Sequence, residues 1–323
     1  MAAFVLRRVA WTLLVMFAIS VLVFLIFFAI PGNDPARALA GRNPDPGTLA
    51  QIRHEFGLDR PLPVQYGLMM KHLFIDRDLV SYTNRGVKVV PQIMQAAPIT
   101  FSLVAGAAVI WILVSIGMGV LASVLRGTVV DPIIMALGLI GISVPVFWLG
   151  QVVNMITQSR AHDFILFHWV PPLGYTGLTE DPFLWFKHLL IPWLVLAAGF
   201  IGLYARVLRS SLVEVDNEDY VRTARAKGLS ERRVLLRHVL RNSIMPFVSL
   251  FGLDFGALMG GGVVLVEVVF GLPGIGRLTF QSASGLDLPV IMATVMYGAL
   301  FIVLANVVVD IAYARLDPRV RSY

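Results

Sequence analysis

Apolar residues along this chain come in long runs, not in short alternating stretches. Residues 9–30 form an unbroken apolar run. At 1.5 Å per residue it is long enough to cross a hydrocarbon core of about 30 Å. Further runs cover residues 99–125, 132–156, 188–208, 246–269 and 289–313. The pattern predicts an all-α membrane protein with six transmembrane helices. Arg7 and Arg8 precede the first run, so a signal peptide is the competing reading. The run is too long for one, no small-x-small cleavage site follows it, and the rest of a twin-arginine motif is missing. The basic tail from Arg315 to Arg321 belongs on the cytoplasmic side, which places both termini there. No internal repeat of the kind found in many secondary transporters is visible.

The polar stretches between the runs predict the rest of the layout. Residues 31–98 carry eight prolines and charges of both signs mixed with Leu, Tyr and Phe, the composition of a small folded extracytoplasmic domain. Short helices are expected over residues 51–56, stopped by Gly57, and over residues 65–74. Arg126-Gly-Thr128 reads as an inside turn, and residues 157–187 as an outside loop whose Trp169 and Trp185 suit the headgroup belt. Pro145 removes a backbone donor within the third run and predicts a kink there. The resulting division is residues 1–30 (first span), 31–98 (outside domain), 99–313 (five further spans, with a cytoplasmic loop at 209–245) and 314–323 (tail).

The most polar run in the chain lies inside that cytoplasmic loop. Asn217 and Glu218 offer a helix start, with acidic residues suited to the positive end of the helix dipole. Gly228 breaks the helix, Ser230 can cap a second one, and Pro246 marks the beginning of the next span. Arg233, Arg237 and Arg241 form one stripe of the second helix, with Leu236, Leu240 and Ile244 beside it. Such a helix–glycine–helix loop either lies on anionic headgroups or docks a cytoplasmic protein.

Composition agrees with the membrane reading: 57% of the 323 residues are hydrophobic and 14% charged. With no cysteine there is no disulfide scaffold and no thiolate metal site. The net charge of +6 reflects the arginines and lysines of cytoplasmic loops and does not call for nucleic acid. No phosphate-binding loop is present, so the chain is not expected to hydrolyse ATP. The histidines show no metal-ligand spacing, and no Ser/His/Asp arrangement suggests a hydrolase. Asp254 lies within the fifth run. An ionisable group at that depth lines a translocation pathway, serves as a proton site, or is hydrogen-bonded to a neighbouring helix. Gly256, Gly260, Gly261 and Gly262 allow close helix packing or a local break.

Tyr220-Val-Arg-Thr-Ala-Arg-Ala-Lys-Gly228 resembles the cytoplasmic loop of bacterial ABC importer permeases, in the form carried by the peptide and nickel branch. The interval from Gly228 to Pro246 is longer than in the general importer motif. Pro31-Gly-Asn-Asp-Pro35, the stretch from Gly57 to Tyr66, the run from Gly261 to Gly276 and that from Val309 to Arg321 resemble the same family in order. One departure is Asp78-Leu-Val-Ser81, where the family often has Asp-Leu-Gly-x-Ser.

The resemblance implies the B-type permease subunit of an oligopeptide or dipeptide importer in the bacterial cytoplasmic membrane. It implies a second related permease, one or two ABC ATPase subunits holding ATP and Mg, and an extracytoplasmic solute-binding protein. No cofactor is expected in this chain itself. Arg222, Thr223, Ala224, Arg225, Ala226, Lys227 and Gly228 would be the ATPase-coupling residues. In that set Arg222, Arg225 and Lys227 grip, Ala224 and Ala226 allow close approach, and Gly228 fixes the turn. Asp254 and Pro145 are the candidate pathway residues. The rival readings are an ion-coupled secondary transporter acting through Asp254, a permease for nickel or another small solute, and a membrane scaffold that only recruits a partner.

Overall fold

The computed structural model describes residues 2–28, 35–40, 44–84, 86–158 and 167–316. Among these residues the secondary structure is helical, apart from an isolated β-bridge between Val80 and Lys88. The expected features at Pro31–Asp34, at His162 and in the tail beyond Leu316 lie outside the described residues.

Among the described residues, four helices are long and apolar enough to cross a membrane: Val89–Val124, Pro182–Asp216, Met245–Gly262 and Leu288–Val309. Two further pairs, Val130–Ser143 with Val146–Thr157 and Val264–Phe270 with Ile275–Ser284, bend by 90° and 92° at short breaks. They bring the number to six if each pair is one span. The helix Ala2–Phe28 contributes a shorter apolar stretch, Ala10–Ile26.

Local sequence explains where these helices differ from the hydropathy pattern. The second begins ten residues earlier than the apolar run, because the helix continues through Pro98 into the polar segment. The fourth starts at an Asp181 cap, whose carboxylate accepts from the Phe183 and Leu184 N–H groups. It then runs on to Asp216. At Pro145 the structure has a full break, not a kink: Val144 is extended (φ −92°, ψ 123°), as the residue before a proline tends to be. The fifth run, expected as one helix over residues 246–269, is interrupted at Gly261, whose φ of +123° no other residue type adopts cheaply. Beyond it the expected turn at residues 271–276 leads into an unforeseen helix, Ile275–Ser284.

The chain divides into two compact units. The first comprises Met1–Thr100, Ala257–Glu267 and Pro273–Leu304. Its core joins Val23 and Phe24 of the first helix with Met69, Leu73, Leu79 and Val89, and with Val290, Met292, Ala293 and Met296. The described residues of 31–98 therefore share a core with membrane helices. The Asp287 carboxylate pins the segment down, accepting from the Ser81 hydroxyl and from the Tyr82 (3.0 Å) and Thr83 (3.4 Å) N–H groups. Burial and this carboxylate push the Tyr82 phenol well above its usual range. Of the two expected short helices, one is Pro46–Glu55, capped by Asp45 and ended by Gly57 (φ +62°). The other is Leu62–Met70, continued by a π-turn over Lys71–Ile75.

The second unit comprises Phe101–Gly256, Val268–Leu272 and Ala305–Tyr323. Helix Val130–Ser143 lies along Pro182–Asp216, with Gly138 against Gly202 so tightly that a Cβ on either would meet backbone. A bidentate pair between Asp131 and Arg209 closes one end of this contact. Trp111 stacks on Phe200 and tilts against Tyr204 and Phe251, forming an aromatic knot within the unit.

Candidate functional site

The polar loop folds as its residue pattern suggests, but it sorts its side chains differently. Helix Asp219–Ala226 starts after an extended Glu218 and ends at Gly228, whose φ is +77°. Val221 and Ala224, one turn apart, are buried within the chain. Tyr220, Arg222, Thr223, Ala226, Lys227 and Gly228 are exposed. The seven candidate coupling residues thus divide: Ala224 faces inward, and five of the others form an outward patch.

Arg225 is the exception in between. Its guanidinium donates to Glu231 (3.0 Å) and Asp216 (2.6 Å), bridging the end of the long helix Pro182–Asp216 to the start of the helix beyond Gly228. These two carboxylates hold it above the usual arginine range. Arg222 only brushes Asp219 at 3.4 Å, with both groups largely exposed. Lys227 has no ion pair among the described residues.

Beyond Gly228 the helix resumes after Ser230, which sits at the N-cap in extended geometry without a side-chain capping bond. A π-turn over Leu235–Val239 then inserts extra backbone. The buried stripe is accordingly Val234, Val239 and Ser243, and Leu236 is 52% exposed. The even four-residue stripe through Leu236, Leu240 and Ile244 holds only for an uninterrupted α-helix. Arg233, Arg237 and Arg241 remain exposed. The Ser243 hydroxyl donates to the Ser211 carbonyl, tying this return segment to the long helix.

Asp254 sits on helix Met245–Ala257, and its carboxylate accepts a 2.7 Å hydrogen bond from the Tyr204 hydroxyl on Pro182–Asp216. Tyr204 is fully buried and packs edge-on to Phe247 at 4.9 Å. Pro145 caps the second half of its broken helix, and the break is its visible effect.

Two groupings escape pattern reading. Glu267 is fully buried. It accepts from the Thr100 hydroxyl (2.6 Å) and the Arg277 N–H (2.9 Å), while Thr100 in turn accepts from the Ile275 N–H (2.8 Å). The carboxylate therefore caps helix Ile275–Ser284 from outside it, and a Cβ at Gly274 would overlap Glu267. The sequence shows the glycines and the acid but not that they meet. The second grouping is His72, Asp76 and Asp78, whose ligand-type atoms lie within 4.8 Å of one another. These groups already engage each other and Lys71: His72 bonds Asp78 at 2.7 Å and holds it below the usual carboxylate range, and Lys71 pairs with Asp76 at 3.3 Å.

Comparison with known proteins settles what kind of molecule carries this loop. The family model described as binding-protein-dependent transport system inner membrane component matches residues 115–322, and its N-terminal companion matches residues 1–104. The chain belongs to this family of ABC importer permeases. A putative peptide transport system permease of Brucella abortus (strain 2308) is 40% identical to the permease over 321 residues, 99% of each chain. A probable peptide ABC transporter permease of Sinorhizobium fredii is 36% identical over 99% of this chain and 100% of its own. The glutathione transport system permease GsiC of Salmonella choleraesuis is 36% identical over 99% of each. Among solved structures, the inward-facing MetNI methionine ABC transporter shares the fold, with a TM-score of 0.50 and 16% identity over 71% of this permease and 97% of that chain.

Proposed function

We propose that this permease is one of two related membrane subunits of a bacterial inner-membrane importer for small peptides, and that helix Asp219–Ala226 couples it to an ATPase subunit. The observation that carries the coupling role is the outward patch of Tyr220, Arg222, Thr223, Ala226 and Lys227 on a helix anchored from behind by buried Val221 and Ala224. Basic heads around a small residue suit a groove with acidic walls, and Ala226 leaves room for close approach. Both termini and this loop then lie in the cytoplasm, residues 31–98 face outward, and a solute-binding protein delivers the solute there. ATP and Mg belong to the ATPase partners. Peptide is the solute class because the relatives over the full length are named for peptide and glutathione transport.

The mechanism is a free-energy link between two sites through a bistable bundle. Closure of the ATPase pair moves the docked helix. Arg225, bonded to Asp216, makes that helix and the long span move as one body. Spans tilt and open an outward cavity, and hydrolysis resets it.

The test is co-purification from detergent-solubilised membranes, with ATPase activity assayed on the eluate. Ala226→Glu is expected to release the ATPase subunits and abolish uptake while the second permease stays bound. Undiminished ATPase recovery with Ala226→Glu would remove the coupling role from this face.

A further inference from the structure

We infer that the first unit carries a phospholipid site, with one acyl chain in an apolar groove between membrane helices and the phosphate on Arg77. The groove encloses about 250 Å³. Its walls come from three helices: Met16 of Ala2–Phe28, Ile93 and Met94 of Val89–Val124, and Met296 and Leu300 of Leu288–Leu316. Met94 is 69% and Leu300 39% exposed, so the groove opens sideways, where lipid chains lie. A space lined this way does not retain water, and unfilled it forfeits the dispersion contacts of its walls. In a membrane the filling material is hydrocarbon.

Arg77 is the one charged residue among the lining groups. Its φ is +55°, a left-handed conformation that residues other than glycine avoid and that the surrounding fold must impose. That conformation follows the end of the π-turn Lys71–Ile75. The neighbouring acids are committed elsewhere, Asp76 to Lys71 and Asp78 to His72, and the Arg77 guanidinium has no ion pair among the described residues. A planar fork of donors beside an apolar slot matches a phosphate ester carrying a long chain. Free phosphate would leave the slot empty, and a bare hydrocarbon would leave the guanidinium without a partner.

The complete transporter, reconstituted with palmitoyl-oleoyl phosphatidylglycerol and released from nanodiscs in a native mass spectrometer, tests this directly. Wild type is expected to retain one phosphatidylglycerol per permease after bulk lipid is stripped. Arg77→Asn, which keeps the left-handed backbone accessible while removing the charge, is expected to lower that occupancy at least tenfold. Leu300→Trp, which fills the slot and spares Arg77, is expected to do the same. Equal retention by wild type, Arg77→Asn and Leu300→Trp would overturn the site, as would a peptide found there in place of the lipid.

Discussion

Ala224 and Ala226 are the same residue two positions apart, yet the helix gives them opposite tasks. Ala224 is 5% exposed and packs inward, so a glutamate there must bury a charge or unravel the loop. A loss of transport in Ala224→Glu therefore reports folding, whereas Ala226→Glu reports docking. Limited proteolysis separates the two: trypsin is expected to cut within residues 222–233 several-fold faster in Ala224→Glu and at an unchanged rate in Ala226→Glu. Arg225 carries a similar lesson. Exposed ion pairs contribute about 0–1 kcal/mol each, so its two bonds to Glu231 and Asp216 hold geometry more than stability. Arg225→Ala is expected to loosen the loop to trypsin without releasing the permease from the membrane; an unchanged digestion rate would return Arg225 to the docking face. At this scale the sequence exposes residue types and spacing but not direction. Spacing leaves Ala224 and Ala226 equivalent, because only the tertiary packing of Val221 decides which side faces in.

Helix ends were more legible than helix interiors. Gly228 was readable because a stop followed by a second helix needs a left-handed residue, and its φ of +77° meets that need. Gly228→Ala leaves open space around the new Cβ, so its cost is conformational, roughly 1–2 kcal/mol. It is expected to slow uptake partially, and Gly228→Pro to abolish it with normal membrane insertion; normal uptake by the proline variant would count against the turn. The π-turn at Leu235–Val239 left no trace in the residues, since it arises from how the return segment seats against the long helix. The break at Gly261 was half visible, as a glycine cluster compatible with either packing or a break. What the cluster concealed was its partner: Glu267 caps Ile275–Ser284 across the turn, a contact set by three-dimensional closure. Glu267→Ala strands the Thr100 hydroxyl and the Arg277 N–H, a loss of about 3 kcal/mol. Both it and Gly274→Ala are expected to lower the melting temperature of the purified permease in detergent. A Gly274→Ala variant that melts like wild type would disprove the tight cradle.

For the whole molecule, family membership places the chain with ATP-driven importers, and Asp254 is the residue on which an added ion-coupled step would have to rest. Its hydrogen bond to Tyr204 ties two helices of one unit and needs only an acceptor, which asparagine also supplies. Asp254→Asn is accordingly expected to keep ATP-dependent uptake within a fewfold of wild type in proteoliposomes without an ion gradient. Abolished uptake in that variant would move Asp254 from positioning to transport chemistry. The helical, membrane-spanning character was legible from hydropathy because bilayer thickness imposes long apolar runs, but the spans were not one-to-one with the runs: the fifth breaks at Gly261 and a bent pair follows it. The shared core of residues 31–98 with helix ends was not legible, since a proline-rich polar segment reads the same whether it closes its own core or borrows one.

The unbroken helix Pro182–Asp216 has a mechanical consequence. Its 35 residues make a rod of roughly 50 Å, longer than the hydrocarbon core it crosses. Clamped at one end by the Arg225–Asp216 bond, it behaves as a lever whose fulcrum is the close crossing of Gly202 with Gly138. A pivot of about 5° there sweeps each arm through only about 2 Å, by the same rise per residue. Small strokes at the loop thus become displacements of similar size and opposite sense at the far tip, and widening the fulcrum by a single methyl group would stall the stroke before it reached the other face.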